Sequence, residues 1–309
     1  MPMAADLQTS AASARGEDLF TDPAYLRIRD VVYQISGIYH AEDKMYLLGG
    51  ACTRRMAETK AKSPREYLDQ LTVRADRDSE LRKLLNEITI GETCLFRSQP
   101  QIDALKSVIL PQLIAEKAQM GYRRLRVWSA GCSTGEEPYT LAMVLLEERE
   151  KLLKGWTFEI AATDLNDRSI EIAKAGVYGD YALRNTSAYY RRKYFTPMAG
   201  ASAGAGEKLQ IRDEVKAAIA FSRLNLNDPS KMLFMSGMDI IFCCNVLIYF
   251  DGASKRRVVQ QFYSNLLPGG YFFLGHSESL FQVNDEFRLV HFPGTTAYWK
   301  GPAGKGATT

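Results

Sequence analysis

Histidine is scarce in this chain. Only His40, His276 and His291 occur, far apart in sequence, so no histidine-built metal site is expected. The five cysteines, Cys52, Cys94, Cys132, Cys243 and Cys244, show neither C-x-x-C spacing nor a disulfide framework. That usage suits reduced thiols in a cytoplasmic protein. No apolar run approaches the roughly 20 residues needed to span a bilayer. The beginning of the chain, 1–16, is polar and rich in alanine and serine, unlike a secretory leader. Charge of one sign is missing too. The net charge of +3 is too small to demand a nucleic acid or a membrane surface as partner. No internal repeat is visible. The composition is ordinary for a globular protein, and 309 residues suffice for a large α/β domain plus a smaller one.

The chain is organised around residues 124–141, RLRVWSAGCSTGEEPYTL. Residues 125–129 read as a buried strand, 130–135 as a tight turn, and Glu136 as the opening of a helix. Gly131 and Gly135 permit positive φ and close approach of a ligand to the backbone. Glu136 and Glu137 fall in the first helical turn, where carboxylates suit the helix dipole, and Pro138 is tolerated there. Strand, glycine turn and helix in this order form a nucleotide-type ligand site. The acids argue against a phosphate, which wants bare N–H groups and positive charge. A cationic or neutral adenosine compound fits better, and S-adenosylmethionine carries a sulfonium. A purely structural strand–helix turn is the alternative.

Upstream, residues 1–18 read as a disordered tail. From Asp22-Pro23 a helical period carries Tyr25, Leu26, Ile28, Val31, Val32 and Ile35. A second helix is expected over 43–60, with Leu47, Leu48, Ala51, Cys52 and Met56 on one face. Ser63-Pro64-Arg65-Glu66 is a capping box that starts a third. A fourth covers 79–87. Residues 19–90 therefore read as an all-helical domain. Within it Arg54, Arg55, Lys60, Lys62 and Arg65 stand against Glu58 alone, which is either a solvated face or a docking face for an acidic helix. Residues 91–120 read as a linker loop followed by a helix from about residue 102. Arg97 in that loop either pairs with a surface acid or holds a carboxylate by bidentate hydrogen bonds.

Downstream, 156–163 is a second strand ending at Asp164. An acid there is the ribose-hydroxyl position of a doubly wound fold. Its alternative, an N-cap for the next helix, is better filled by Asp167. Residues 180–222 read as a small β excursion around the Ala/Gly-rich loop 199–206, with short strands at 209–211 and 218–222. Asn225-Leu226 follows, where Asn225 either reads an adenine edge or makes a turn before Asp228-Pro229. A buried strand over 238–245 runs into Asn245-Val246-Leu247-Ile248-Tyr249. A helix over 254–267 is closed by Pro268-Gly269-Gly270. A hairpin around Gly294 ends the domain, spanning 121–300, and 301–309 is a loose tail.

These motifs together resemble the chemotaxis receptor glutamate methyltransferases, the CheR family. The matching residues are Gly91-Glu92-Thr93, Phe96-Arg97, the run from Trp128 through Ser133-Thr134-Gly135-Glu136-Glu137-Pro138-Tyr139, Ala162-Thr163-Asp164, Asn225-Leu226, Cys243 with Asn245-Val246-Leu247-Ile248-Tyr249-Phe250, and Gly275-His276-Ser277-Glu278-Ser279. The resemblance covers about residues 20–300. It implies a small helical N-terminal receptor-docking domain and a Rossmann-like S-adenosylmethionine methyltransferase domain with an inserted β subdomain. It implies a donor pocket of Gly91, Thr93, Arg97, Ala130, Glu136, Asp164, Asn225, Leu226, Cys244 and Asn245. Arg97 and Tyr249 become the catalytic pair, Arg97 orienting a carboxylate and Tyr249 placing the methyl group. Arg54, Arg55, Lys60 and Lys62 become the face that reads receptor methylation helices. No metal is implied. The chain departs from the family at Gly91, where asparagine is usual, and at Cys244, where arginine is usual.

The implied reaction is methyl-ester formation on chemoreceptor glutamates by a cytoplasmic monomer. A glutamate is already ionised at neutral pH, so no general base is required. Amino-directed nucleic-acid methyltransferases carry Asn/Asp-Pro-Pro-Tyr/Phe after the fourth strand, and the run from Asn245 to Tyr249 has no proline. A donor-sensing module without turnover, or a methyltransferase for a receptor-like protein outside motility, are the alternatives.

Overall fold

The computed structural model describes residues 22–89, 91–198 and 208–302. The expected tail 1–18, the segment 199–206 and most of the tail 301–309 lie outside the described residues. The chain divides into two compact units. One holds the described residues of Met1–Ile90 with Tyr249–Asp251; the other holds those of Gly91–Ile248 and Gly252–Thr309.

The first unit contains the helices Pro23–Ser36, Met45–Thr59, Pro64–Thr72 and Arg77–Ile88. Asp22 caps the first by accepting from the Ala24 N–H at 2.8 Å. Ser63 accepts from the Glu66 N–H, and Glu66 reaches one residue past the cap, to the Lys62 N–H. Tyr25, Ile28, Val32, Leu48, Ala51, Cys52, Leu71, Leu84 and Leu85 fill the core. Leu26, Ile35 and Leu47, expected on the apolar faces, are exposed, because the buried stripe of each helix is only about one residue wide per turn. Tyr249–Asp251 joins this unit through the Tyr39 N–H donating to the Tyr249 carbonyl at 3.0 Å, an Ile38–Phe250 bridge, and the Tyr33 hydroxyl donating to Asp251 at 3.0 Å.

The basic run is not a free face. Arg55 is 1% exposed. Its Nε and Nη2 donate to both carboxylate oxygens of Glu80, at 2.9 and 2.8 Å, and Nη1 pairs with Glu58. The Tyr67 hydroxyl donates to the same Glu80 carboxylate at 2.9 Å. Arg55 is therefore a core residue and is removed from the expected docking set. Arg54 stays at the surface but pairs with Glu87 at 2.8 Å. Lys60 and Lys62 are exposed.

The second unit contains ten strands: β1 Arg124–Ala130, β2 Thr157–Asp164, β3 Val177–Tyr178, β4 Phe195–Pro197, β5 Leu209–Ile211, β6 Ile219–Arg223, β7 Met238–Cys243, β8 Leu266–Leu274, β9 Arg288–Phe292 and β10 Thr295–Trp299. Seven form a sheet in the order β6-β2-β1-β7-β8-β10-β9. From β6 to β8 neighbours run parallel, with Val127 opposite both Ile160 and Ile240. β10 and β9 close it as an antiparallel hairpin. The chain builds outward from β1 to β6, then returns to β7 on the other side of β1. That reversal opens a crevice at the carboxyl ends of β1 and β7. Every residue of β7 is buried, as a central parallel strand requires. The fold is the expected Rossmann-like one.

Four expectations change in detail. Residues 91–120 are no connector: Leu95, Phe96, Ile102, Leu105, Ile109, Leu110 and Leu113 belong to the main core. Their helix contains a π turn, Leu105–Ile109, just before Pro111, which has no N–H for the regular ladder. Strand β6 is an edge of the main sheet, paired with β2, and the separate three-stranded sheet is only β3-β5-β4. Pro268, Gly269 and Gly270 lie within β8, after the helix Gly252–Asn265, and Gly269 has φ 84°. The helix Asp167–Ala175 is capped by Asn166, whose side chain accepts from the Arg168 and Ser169 N–H groups.

Candidate active site

The turn after β1 is fixed from two sides. The N–H groups of Gly131 and Cys132 both donate to the Thr163 carbonyl, at 2.8 and 2.9 Å. Ser133, at φ 49°, donates its N–H to Asp164 Oδ2 at 2.7 Å. Asp164 Oδ1 accepts from the Asn166 N–H at 2.8 Å. The ribose candidate thus first ties the ends of β1 and β2 together. Gly131 has φ 75°, and a Cβ there would meet Val246 Cγ2 at 2.4 Å, so only glycine lets the loop after β7 close on this turn.

Gly135 precedes the helix Glu136–Glu148 as its N-cap at φ 96°. Glu136 is 4% exposed and accepts from the Thr134 hydroxyl at 2.7 Å. Glu137 accepts from the Ser129 hydroxyl at 2.7 Å. Burial pushes the carboxyls of Glu136, Glu137 and Asp164 above the ordinary range, against the hydrogen bonds that favour their charged forms. Among the described residues none of these three carboxylates forms an ion pair. Arg184 and Arg97 act on Glu136 and Glu137 only as more distant charges, so three acids around this turn suit a positively charged ligand.

The loop that leads into the unit borders this turn. A Cβ on Gly91 would meet Ser133 Oγ at 2.5 Å, and that buried hydroxyl has no hydrogen-bond partner among the described residues. Thr93 follows, half-buried. The Phe96 N–H donates to Thr140 Oγ1 at 3.0 Å, and Thr140 in turn donates to the Glu136 carbonyl at 2.8 Å. Arg97 is exposed and donates to the Glu92 carbonyl at 3.1 Å. Ala130, Asp164, Cys244 and Asn245 sit at or just past the carboxyl ends of β1, β2 and β7. Asn225 and Leu226 come just after β6. Asn225 Oδ1 accepts from the Asn227 N–H at 3.0 Å, so the turn role is filled, and Leu226 is buried. Tyr249 belongs to the helical unit.

Sequence reasoning assigned no role to Gln101 or Glu278. Gln101 donates to the Leu274 carbonyl at 2.6 Å, and its Oε1 faces Cys244 Sγ at 3.9 Å. No motif signals it. Glu278 sits inside a recognised motif and accepts from three backbone N–H groups. Burial pushes the thiols of Cys132, Cys243 and Cys244 well up, so they stay protonated and are poor nucleophiles at neutral pH. Among the described residues no three His, Cys, Asp or Glu are grouped to hold a metal ion. The site has the makings of a cation-binding, positioning site, with no activated nucleophile.

Comparison with known proteins agrees. The family described as CheR methyltransferase, all-alpha domain, matches residues 23–89, and CheR methyltransferase, SAM binding domain, matches residues 91–295. Chemotaxis protein methyltransferase 2 of Vibrio cholerae is 34% identical over 289 residues, covering 94% of this chain and 96% of that protein. A chemotaxis protein methyltransferase of Vibrio parahaemolyticus is 36% identical, covering 82% of this chain and 88% of that protein. Chemotaxis protein methyltransferase 1 of Pseudomonas aeruginosa is 34% identical, covering 82% and 89%.

Proposed function

We propose, from the premise that this chain belongs to the CheR methyltransferase family and uses S-adenosylmethionine as methyl donor, that it esterifies glutamate side chains on the cytoplasmic helices of chemoreceptors. The observation that carries the reading is the set of three carboxyls around the turn after β1, Glu136 buried and Glu137 and Asp164 half-buried, none of them in an ion pair among the described residues. A sulfonium supplies an activated methyl group. The residues that would hold its carrier are Gly91, Thr93, Arg97, Ala130, Glu136, Asp164, Asn225, Leu226, Cys244 and Asn245. The bare notch at Gly91, the unpartnered Ser133 hydroxyl and the anionic crevice fit such a molecule.

The acceptor oxygen of a glutamate would gain the methyl carbon as that carbon's bond to sulfur breaks, leaving a neutral ester and a neutral thioether, so one negative and one positive charge disappear together. No proton moves, so no base is needed. The protein's task is to align and dehydrate two opposite charges, and orientation alone supplies up to roughly 7–11 kcal/mol in well-arranged reactions. Arg97 is exposed beside the crevice-lining loop and orients a carboxylate; Tyr249 places the methyl group. Each transfer removes one negative charge from a receptor helix.

The test is transfer of labelled methyl from S-adenosylmethionine to a receptor cytoplasmic fragment, followed by alkali. Glutamyl esters release labelled methanol. Arg97→Ala is expected to lower the rate on the order of 100-fold, the scale of losing one charge-orienting contact at a reacting group. Alkali-stable label would refute esterification. Bound donor without any transfer would leave a sensing module instead.

Docking rests on Lys60 and Lys62 with Arg54, at the carboxyl end of Met45–Thr59, where the helix dipole also favours cations. Lys60→Glu with Lys62→Glu is expected to raise KM for the receptor fragment several-fold and leave donor affinity unchanged. Calorimetry showing donor affinity lost as well would remove this face from the docking role.

A further inference from the structure

Glu278 takes no part in the methyl transfer, yet it gathers three backbone N–H groups from two loops of the crevice. Its Oε2 accepts from the Asn245 N–H at 2.6 Å and the Gly275 N–H at 2.8 Å. Its Oε1 accepts from the Ile248 N–H at 3.2 Å. One carboxylate therefore joins the loop after β7 to the loop after β8. Asn245 sits at φ 60°, in the left-handed region that asparagine adopts more readily than most side-chain-bearing residues. Gly275 has no room for a side chain: a Cβ there would lie 2.8 Å from both Asn245 Nδ2 and Glu278 Oε2.

The pinned loop has a second contact. Val246 lies between Asn245 and Ile248, whose amides Glu278 holds, and it packs on Gly131 in the turn after β1. A continuous path thus runs from Glu278 through Asn245 and Ile248 to Val246 and on to the glycine turn. Two walls of the crevice keep their separation because one anion holds one of them in place. Backbone donors to a carboxylate make strong, direction-specific bonds, so the pin is stiff.

We propose that Glu278 is a positioning residue for donor binding, acting through Val246 on the turn that contains Gly131. The inference rests on the proposed function, since it assumes that this crevice takes S-adenosylmethionine. A glutamine at 278 keeps one acceptor oxygen but points an NH2 group at a backbone N–H, so at least one arm of the pin is lost.

The experiment measures S-adenosylmethionine affinity by calorimetry and thermal unfolding on the full chain. Asn265→Ala is the control. It deletes a buried hydrogen bond to the Met232 carbonyl at the opposite end of β8, where no crevice residue lies. Glu278→Gln is expected to weaken donor binding at least tenfold, and Asn265→Ala to lower the melting temperature with donor affinity unchanged. If Glu278→Gln does not fold, Glu278→Asp is read against the same control, with weaker binding again expected. Wild-type affinity in the Glu278 variant, or equal weakening in both variants, overturns the proposal. Failure of the unmodified protein to bind S-adenosylmethionine would instead overturn the reading of the crevice, and this inference with it.

Discussion

Asp164→Ala is expected to raise the dissociation constant for S-adenosylmethionine on the order of 100-fold. Two losses add. The Ser133 and Asn166 amides lose their acceptor, which loosens the turn after β1, and the ligand loses a hydroxyl acceptor. A hydrogen bond to a charged group contributes about 1.5–3 kcal/mol, and each 1.4 kcal/mol is a decade in affinity. Asp164→Asn keeps one acceptor and should fall between. The pH dependence follows from the same group together with Glu136 and Glu137, all held above the ordinary carboxylate range by burial. Protons and a cationic ligand compete for these carboxylates, so affinity rises with pH through the raised range. The ligand-free fold behaves oppositely. Its buried acids ionise later than those of the unfolded chain, so their contribution to stability falls as pH rises from the ordinary carboxylate range to the raised one. The thermal shift produced by the donor should therefore grow as pH rises from the ordinary carboxylate range through the raised one. A calorimetric titration with unchanged affinity in Asp164→Ala would remove this residue from the site.

Glu80→Ala is expected to cost the helical unit about 3–5 kcal/mol, the range for stripping the partner from a buried charge. Arg55 would keep only Glu58, whose side chain is 60% exposed, and the Tyr67 hydroxyl would lose its acceptor. The wild-type pair is no measure of net gain, because burying two charges is itself costly. Arg55→Met combined with Glu80→Leu, of similar volume, should therefore recover much of the loss. Denaturant unfolding of the full chain measures both variants. A loss under about 1 kcal/mol in Glu80→Ala would mean that Arg55 reaches water, and would return it to the docking face.

Local signals were strong in the sequence. The β1–turn–helix unit, the Ser63 cap, the hairpin around Gly294 and the all-helical beginning are each encoded within about twenty residues, and each is present. The misreadings share one cause: a partner far along the chain. Arg55 looked like part of a surface charge run because Glu80 lies 25 positions on. The alternation in β6 shows a strand but not which sheet will take it. Residues 91–120 looked like a connector because their apolar positions answer to a core built later. Glu278 stood in a recognisable motif, yet its work is defined by amides 30 and 33 residues earlier.

Tyr249–Asp251 has a consequence for synthesis. Three residues from late in the chain complete a unit that otherwise ends near residue 89. A ribosome delivers these four helices well before it releases Phe250, so Ile38 waits for its bridge until the strand β7 and the loop after it have been made. The helical unit is thus made before the segment that completes it. A fragment cut after residue 90 would be a nascent intermediate rather than a free-standing module.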